Sequence, residues 1–502
     1  MSDSFCPPKN TSAYDRQRLS AGAPLLPDLW QKIPQWPHVG KGRRVIIIGA
    51  GISGLCAAWS LRGAGFSPII LERTRRVGGR IFTLRGYFEE QHVELGATRI
   101  PDNHPLPLTY IRHFGLPLVE YPSRDQTQIY SVQGRRFRGN HGRGAEYHDD
   151  LGLTAEELRL EAHGLHDHYS QRALSILSDP RASDWPSTLD RKAFQGQSFL
   201  QSLDKLGASA IAKEICRAHA GTIIDVYDAL FWLAAQRIEG ETQKTYAIAD
   251  GNDRLTSCFA EALGDCIVLG AHVQAVRSQS NRVCVDYVRD GRAESVQGDY
   301  VICCVPHRIL LEVEFHPQLS AAKIAAIREV PMGQVTRLNY QFSRRFWNLD
   351  EGVRGLQIAC TTGPIERIWD LTALQPGPNG ILVAYAEHEH AAALDRLPSD
   401  ETRLERGLEE IDALFPNARA AFLKGLSFSW NQSWTRGAWA AFLPDQMRYL
   451  ADFQHAEGRV FFASDYMSFH NAWMQGALEA AHFAVAEVIA RERAPMALSH
   501  SL

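Results

Sequence analysis

The stretch Val45-Ile-Ile-Ile48, followed directly by Gly49-Ala-Gly51-Ile-Ser-Gly54, decides the fold. Four consecutive β-branched residues are typical of a central strand in a parallel sheet that is buried on both faces. The glycines have separate uses: Gly49 permits a tight turn, Gly51 lets a pyrophosphate approach the backbone, and Gly54 lets the next helix pack closely on the strand. The stretch therefore predicts a strand, a phosphate-binding loop and a helix whose N-terminus faces the phosphates.

The residues that follow strengthen this prediction, since a glycine motif alone is weak. A helix is predicted over 55–65, and a second strand, 68–71, ends in Glu72. A carboxylate at this distance from the glycines accepts hydrogen bonds from both ribose hydroxyls and disfavours a 2′-phosphate. Arg73 and the arginines after it are predicted to lie in a basic turn. The whole unit predicts a Rossmann-like dinucleotide-binding domain.

Composition excludes several classes of protein. The 502 residues allow about three domains. A net charge of −4 gives no basic field for nucleic acid or a membrane surface. Nine scattered cysteines, without metal-ligand spacing, indicate free thiols in the cytoplasm and no metal site. Lysine is scarce, and none lies between Lys323 and Lys424.

Two further motifs carry a resemblance. Val77-Gly-Gly-Arg80 follows the ribose-binding strand without a second crossover helix, and here the chain resembles the flavin amine oxidase superfamily. Glu94-Leu-Gly-Ala-Thr-Arg-Ile-Pro101 resembles the L-amino-acid oxidase branch of that superfamily. The resemblance extends over 43–490. It implies an α/β fold in which a Rossmann-like FAD-binding domain is joined by a mixed-sheet substrate domain and a helical insertion.

The sequence pattern and the resemblance together predict the domain boundaries. The N-terminal arm is 1–42, and the helical domain is 151–244. The FAD-binding domain is discontinuous, and the substrate domain is built from two segments. Their segments are 43–108, 245–320 and 431–493 for the FAD-binding domain, and 109–150 and 321–430 for the substrate domain.

A set of FAD contacts is implied by the same resemblance. Arg80 reaches the phosphates, Val273 holds the adenine by its backbone, and Asp465 replaces a family glutamate at the ribityl chain. A helix N-terminus at Met474 faces the flavin carbonyl region. The complete set of implied FAD contacts is Gly49, Gly51, Ile52, Ser53, Gly54, Glu72, Arg73, Gly79, Arg80, Gly96, Ala97, Thr98, Arg99, Val273, Asp465, Trp473, Met474 and Ala477.

Substrate contacts follow from the resemblance as well. Arg99 and Tyr385 grip the substrate carboxylate, for which a guanidinium offers a planar, permanently charged donor fork. Ala472 and Trp473 face the amine and the flavin, and Trp430 lies near the cofactor.

Family members carry a lysine that holds a water at flavin N5. Counting back from the cluster Arg344-Arg345-Phe346-Trp347 by the family spacing gives Arg337 at that position, and we assign Arg337 the catalytic role. An arginine keeps the positive charge but cannot act as a base.

The predicted function is oxidative deamination of an L-amino acid by hydride transfer to FAD. The products are a 2-oxo acid, ammonia and, with O2, hydrogen peroxide. Three alternatives stay open: an amino-acid monooxygenase or dehydrogenase, an amine oxidase without carboxylate recognition, and a flavin-holding interaction partner. A homodimer without a membrane span is expected.

The substrate side chain is not decided by the sequence. Acidic residues that could receive a basic side chain are Asp225, Asp228, Glu387 and Glu389. Phe231 and Trp232 could equally line an apolar pocket.

Overall fold

The protein is described here by a computed structural model that covers residues 32–122, 128–139, 151–160, 162–182 and 184–493. Most of the predicted N-terminal arm, and residues 123–127 and 140–150 of the predicted substrate domain, fall outside these residues. The strands are β1 Arg44–Ile48, β2 Ser67–Glu72, β3 Thr83–Phe88, β4 Gln91–Glu94, β5 Ile100–Pro101, β6 Leu118–Glu120, β7 Gln128–Val132, β8 Arg135–Gly139, β9 Thr245–Ile248, β10 Ile267–Leu269, β11 His272–Ser278, β12 Val283–Arg289, β13 Arg292–Gly298, β14 Tyr300–Cys303, β15 Glu314–His316, β16 Met332–Gly333, β17 Val335–Phe342, β18 Gln357–Thr361, β19 Arg367–Asp370, β20 Gly380–Glu387, β21 Phe422–Ser429, β22 Trp439–Ala440 and β23 Val460–Phe462.

The α-helices of the described residues fall into two groups, one spread through the chain and one concentrated between Ala162 and Glu239. They are α1 Ile52–Gly63, α2 Pro105–His113, α3 Ala162–Ile176, α4 Thr188–Phe194, α5 Phe199–Lys205, α6 Ala210–Ala220, α7 Ile223–Val226, α8 Ala229–Glu239, α9 Asp253–Leu263, α10 Ala321–Glu329, α11 Phe346–Leu349, α12 His388–Asp395, α13 Asp400–Leu414, α14 Ala418–Ala421, α15 Tyr449–Gln454 and α16 Met474–Arg493.

A five-stranded parallel sheet has the order β10-β2-β1-β14-β23. Its central strand β1 is buried, as the run of β-branched residues predicts. Helix α1 begins at Ile52, three residues earlier than predicted, because the Leu55 N–H already donates to the Gly51 carbonyl at 3.0 Å and closes the first helical turn. A Cβ atom on Gly54 would lie 2.0 Å from the Gly49 carbonyl oxygen, so only glycine permits this close packing of helix and loop.

A seven-stranded mixed sheet has the order β21-β17-β20-β19-β18-β7-β8. Every residue of β17 and β20 is buried. Because β17, β20 and β19 pair antiparallel, Arg337, Tyr385 and Arg367 lie directly opposite one another in one row. Directly paired residues share a face of the sheet, so these three side chains project the same way.

The predicted fold class is confirmed: a Rossmann-like parallel sheet is joined by a mixed sheet and by the helices α3 to α8. The domain boundaries themselves stay a prediction. Among the described helices, none is both long and apolar enough to cross a membrane. The eight cysteines in the described residues are free thiols, five of them buried.

Candidate functional site

A cavity of about 640 Å³ opens where the glycine loop, the mixed sheet and the helical segment meet. Most of the predicted site residues line it, although they come from distant parts of the chain. These are Gly49, Gly51, Ile52, Ser53, Glu72, Gly79, Arg80, Gly96, Ala97, Thr98, Arg99, Arg337, Tyr385, Trp430, Asp465, Ala472, Trp473, Met474 and Ala477.

Three predicted FAD contacts do not line the cavity. Gly54 lies under the loop, where it packs on Gly49. Arg73 points elsewhere, because its guanidinium pairs with Glu312 at 3.2 Å. Val273 is buried on β11 and is 5% exposed. The geometry thus gives Gly54 a packing role, and it does not bring the Arg73 or Val273 side chains into the cavity wall.

The glycine loop is closed by the Gly78-Gly79 turn. The Gly78 N–H donates to the Ala50 carbonyl at 2.8 Å. A Cβ on Gly79 would lie 3.3 Å from the Gly51 Cα, and Gly79 has a φ of +56°, which favours glycine. The two backbone segments therefore meet at van der Waals distance and leave a narrow cradle beside the N-terminus of α1, as a bound pyrophosphate requires.

Glu72 ends β2 at the edge of this cradle and is 3% exposed. Its Oε2 accepts from the Ala50 N–H at 2.7 Å, and its Oε1 accepts from the Thr74 N–H and hydroxyl at 2.8 and 2.7 Å. These bonds fix the carboxylate. Oε1 already accepts two hydrogen bonds, whereas Oε2 accepts one and keeps acceptor capacity for a ribose hydroxyl. The residues present thus fit a dinucleotide.

Arg80 and Asp465 bind each other at the cavity wall. Arg80 Nη1 donates to Asp465 Oδ2 at 3.0 Å, and Nη2 makes a second, shorter contact with Oδ1. Asp465 Oδ2 also accepts from the Ala472 N–H at 3.2 Å. Ala472 has a φ of +70° in the left-handed region, which costs a non-glycine residue about 1 kcal/mol. The carboxylate of Asp465 therefore helps to hold a strained backbone at the site.

Helix α16 begins directly after Trp473, and its first-turn residues Met474 and Ala477 line the cavity. The N-terminus of a 20-residue helix carries partial positive charge. The Arg99 guanidinium lies over the Trp473 ring at 5.1 Å from its centroid. A positive field therefore covers this side of the cavity.

Arg337 is buried, at 5% exposure, and is held by hydrogen bonds to the 94–98 segment. Its Nη1 donates to the Glu94 carbonyl at 2.8 Å and to Thr98 Oγ1 at 3.0 Å. Its Nε donates to no described group. Burial lowers the pKa of Arg337, but a guanidinium stays protonated at any working pH. Among the described residues no carboxylate forms an ion pair with it.

Tyr385 stacks on Trp369, with ring centroids 4.4 Å apart and planes inclined by 24°. The Arg337 guanidinium lies over Tyr385 at 5.0 Å, and burial raises the pKa of Tyr385 above its usual range. Tyr385 therefore remains a neutral hydroxyl donor.

Trp430 is anchored by its indole N–H, which donates to the Leu95 carbonyl at 2.8 Å. This bond fixes the backbone just before Gly96. A Cβ on Gly96 would lie 1.8 Å from the Arg80 carbonyl, so the 95–97 segment lies tightly beside the Arg80 turn. Trp430 thereby positions the segment that the resemblance places along the flavin.

Trp369 and Arg367 are among the wall residues that sequence reasoning missed. They alternate on β19, which is a signal for one face of a strand. The sequence does not reveal that β19 pairs with the strand of Tyr385, and so it does not indicate which face they share.

The acidic candidates differ in position. Asp225 and Glu389 both pair with Arg217, and Asp228 caps α8 by accepting from the Phe231 N–H at 3.0 Å. Glu387 lines the cavity but pairs with Arg367 at 2.6 Å. Burial raises the pKa of Glu387.

The aromatic candidates Phe231 and Trp232 both line the cavity from α8. Phe231 is buried and Trp232 is partly buried. The wall on the helical side is therefore largely apolar where these two rings lie.

Comparison with known proteins identifies the family. A family model described as flavin containing amine oxidoreductase matches residues 52–489. The chain belongs to this family. FAD is the cofactor of the oxidoreductase, as predicted, and the glycine cradle and Glu72 are the residues that would hold its pyrophosphate and ribose.

Two curated relatives are similar over most of the oxidoreductase. An L-amino-acid oxidase from Siganus canaliculatus is 27% identical over 89% of this chain and 85% of its own length. A putative L-amino-acid oxidase, YobN, from Bacillus subtilis (strain 168) is 30% identical over 87% of this chain and 92% of its own length.

Solved structures share the fold of the oxidoreductase. Putrescine oxidase bound to putrescine is 24% identical, with a TM-score of 0.73 over 89% of this chain and 99% of that chain. Cyclohexylamine oxidase from Brevibacterium oxydans IH-35A is 19% identical, with a TM-score of 0.74 over the same shares.

Proposed function

We propose that this oxidoreductase is an L-amino-acid oxidase. It would convert an L-amino acid, water and O2 into a 2-oxo acid, ammonia and hydrogen peroxide. The observation that carries the proposal is the position of Arg99, whose guanidinium lies in the cavity wall over Trp473 and Trp369, beside the Tyr385 that stacks on Trp369. The two curated relatives named as L-amino-acid oxidases support it.

FAD supplies a two-electron acceptor when it is bound. Arg99 binds the substrate carboxylate with its donor fork, and the neutral Tyr385 hydroxyl donates a further hydrogen bond to it. The Trp473 ring limits where the amine end can lie. Binding at two points fixes the direction of the Cα–H bond, and this positioning contributes most of the rate enhancement we assign to the protein.

The cavity favours a neutral side chain over a basic one. Of the four acidic candidates only Glu387 reaches the wall, and Arg367 already balances its charge. Three further wall carboxylates also have partners, namely Glu120 with Lys244, Asp167 with His166 and Glu239 with His104. The aromatic wall formed by Phe231 and Trp232 offers apolar contact instead. We therefore propose an L-amino acid with an apolar or aromatic side chain as the substrate.

The experiment compares an amino acid with the amine that lacks its carboxylate. Anaerobic flavin bleaching by L-phenylalanine and by 2-phenylethylamine is followed by stopped flow in the wild type and in Arg99→Met. Loss of a buried charge-assisted contact of 1.5–3 kcal/mol should slow reduction by the amino acid about 10- to 100-fold and leave the amine unaffected. The control is Arg112→Met, an exposed arginine on α2.

Equal effects of Arg99→Met on both compounds would reject carboxylate recognition, and with it the oxidase proposed here. Rapid bleaching by the amine alone in the wild type would indicate an amine oxidase.

The arginine at position 337 favours a second candidate function, which is that of an amino-acid monooxygenase or dehydrogenase on the same scaffold. The resemblance places a lysine where this chain has the buried Arg337, whose guanidinium donates to the Glu94 carbonyl and to Thr98 Oγ1 and forms no ion pair with a carboxylate of the described residues. Turnover is measured under O2, with hydrogen peroxide, carboxamide and dye reduction followed in parallel. Peroxide indicates an oxidase, carboxamide a monooxygenase, and dye reduction without either product a dehydrogenase. The predicted homodimer and cytoplasmic location stay predictions.

A further inference from the structure

Trp369 is the side chain that both proposed carboxylate ligands contact. The Arg99 guanidinium lies 5.6 Å from the centroid of its ring, and the Tyr385 ring stacks on it at 4.4 Å. We propose that Trp369 is a positioning residue, which holds Arg99 and Tyr385 at the separation that a substrate carboxylate requires. This inference rests on the proposed function of the site.

The two ligands belong to different parts of the fold. Arg99 directly precedes β5 in the small sheet β5-β9-β6, whereas Tyr385 lies within β20 of the mixed sheet. Their relative position therefore depends on how these two sheets meet. Trp369 spans that junction, because it extends from β19 and contacts both side chains.

The indole itself is firmly held. Trp369 is 5% exposed and lies opposite Val383 in the register of β19 with β20. Its Nε1 donates to Gln357 Oε1 on the neighbouring strand β18 at 3.3 Å. The plane of the ring is thus set by strand pairing and by one hydrogen bond, which makes it a rigid platform for the guanidinium groups beside it.

The Trp369 ring also interacts with the positive charges of the arginines around it. The guanidiniums of Arg337 and Arg367 each lie 5.7 Å from the Trp369 centroid, so three cations surround one indole. The negative face of an aromatic ring attracts cations and offsets part of their mutual repulsion. Arg367 is balanced by Glu387 at 2.6 Å. The platform therefore lets Arg99 stay charged at a fixed place beside two other arginines.

The test uses Trp369→Leu, which removes the ring, and Trp369→Phe, which keeps a smaller one. The probe is benzoate, a carboxylate without an oxidisable Cα–H bond, and its Kd is measured on the holoenzyme from the perturbed flavin absorbance. We expect Trp369→Leu to raise the Kd at least tenfold and Trp369→Phe to recover most of the affinity. For L-phenylalanine, KM should rise more than kcat falls. Trp59→Phe, a ring exchange in α1 outside the cavity wall, is the control.

An unchanged Kd for benzoate in Trp369→Leu with FAD retained would overturn the inference. If Trp369→Leu does not fold, Gln357→Leu replaces it. This variant keeps the indole and removes its hydrogen bond, together with the bonds from Gln357 Nε2 to the His219 carbonyl and Cys360 Sγ. A smaller rise in the benzoate Kd, about threefold, then supports the positioning role of Trp369, and an unchanged Kd overturns it.

Arg99→Met separates this inference from the proposed function. A weaker benzoate complex in Arg99→Met together with an unchanged one in Trp369→Leu rejects only the positioning role. An unchanged complex in Arg99→Met rejects the carboxylate site itself.

Discussion

Arg80 and Asp465 are separated by 385 residues and meet in a two-point ion pair at the wall of the FAD cavity. Arg80 also donates to the Ala438 carbonyl at 2.8 Å, and Asp465 accepts from the Ala472 N–H. The pair therefore joins the turn that covers the glycine loop to the segment that leads into α16. Each side chain is therefore held in place by the other.

This pairing predicts strong coupling between the two residues. Arg80→Met and Asp465→Asn should each weaken FAD binding about tenfold, and the double variant should be little worse than either single one. The coupling free energy of contacting charged residues is about 0.5–3 kcal/mol. FAD affinity is measured by fluorescence quenching on reconstitution of the apoprotein. The exposed pair Arg75–Asp290 serves as control, and additive effects at Arg80 and Asp465 would contradict the prediction.

Two glycines of α1 should respond in opposite ways to the same substitution. Gly54→Ala places a Cβ 2.0 Å from the Gly49 carbonyl oxygen, so helix and loop must separate. We expect lower thermal stability and loss of FAD. Gly63→Ala meets no atom within 4 Å and should stabilise the helix by up to about 1 kcal/mol. Thermal unfolding followed by circular dichroism and by flavin fluorescence measures both, and equal melting temperatures would disprove the steric argument.

Replacing Arg337 by lysine should change how the reduced holoenzyme reacts with O2. A lysine in this buried position can lose its proton, which an arginine cannot. We expect reoxidation by O2 to become at least tenfold faster in Arg337→Lys and slower in Arg337→Ala. Stopped-flow mixing of reduced enzyme with O2 gives the rates. Reoxidation that is the same in all three proteins would remove Arg337 from the catalytic role.

Lys323 should make stability depend on pH. It is 1% exposed, and its Nζ donates to the carbonyls of Phe453 at 3.0 Å and His455 at 2.7 Å. Burial lowers its pKa from 10.5 to about 7. At a pH between these two pKa values, the Lys323 side chain is protonated in the unfolded chain and neutral in the folded protein. The free energy of unfolding therefore rises with pH, by at most about 1.4 kcal/mol per pH unit.

Lys323→Met should lose this rise, whereas the exposed Lys192→Met should keep it. Urea unfolding at pH 7, 8 and 9 measures the slope for each protein. A slope in Lys323→Met equal to that of the wild type would show that Lys323 does not lose its proton on folding.

The sequence predicted the parts of the fold that depend on local chemistry. The strand before Gly49, the phosphate loop and the carboxylate of Glu72 all follow from residues within one βαβ unit. The row of Arg337, Tyr385 and Arg367 could not be predicted in the same way, because strand register is set by packing between distant segments. Trp369 was missed for this reason.

The Arg80–Asp465 pair shows the same limit. Each residue was predicted to face FAD, and each does line the cavity, yet their mutual contact depends on how β23 joins the parallel sheet. Arg73 differs from this pair: its predicted contact with FAD stays a prediction, and its guanidinium pairs with Glu312 instead of lining the cavity.

The late position of β23 and α16 in the chain has a consequence for biosynthesis. The outer strand β23, then Asp465 and the first turn of α16, are translated after every other segment that lines the cavity. The ribosome must therefore synthesise the chain through at least Ala477 before the binding site is complete. FAD capture is then a late event, and chains interrupted before this point would leave the ribosome with an open and unliganded sheet edge.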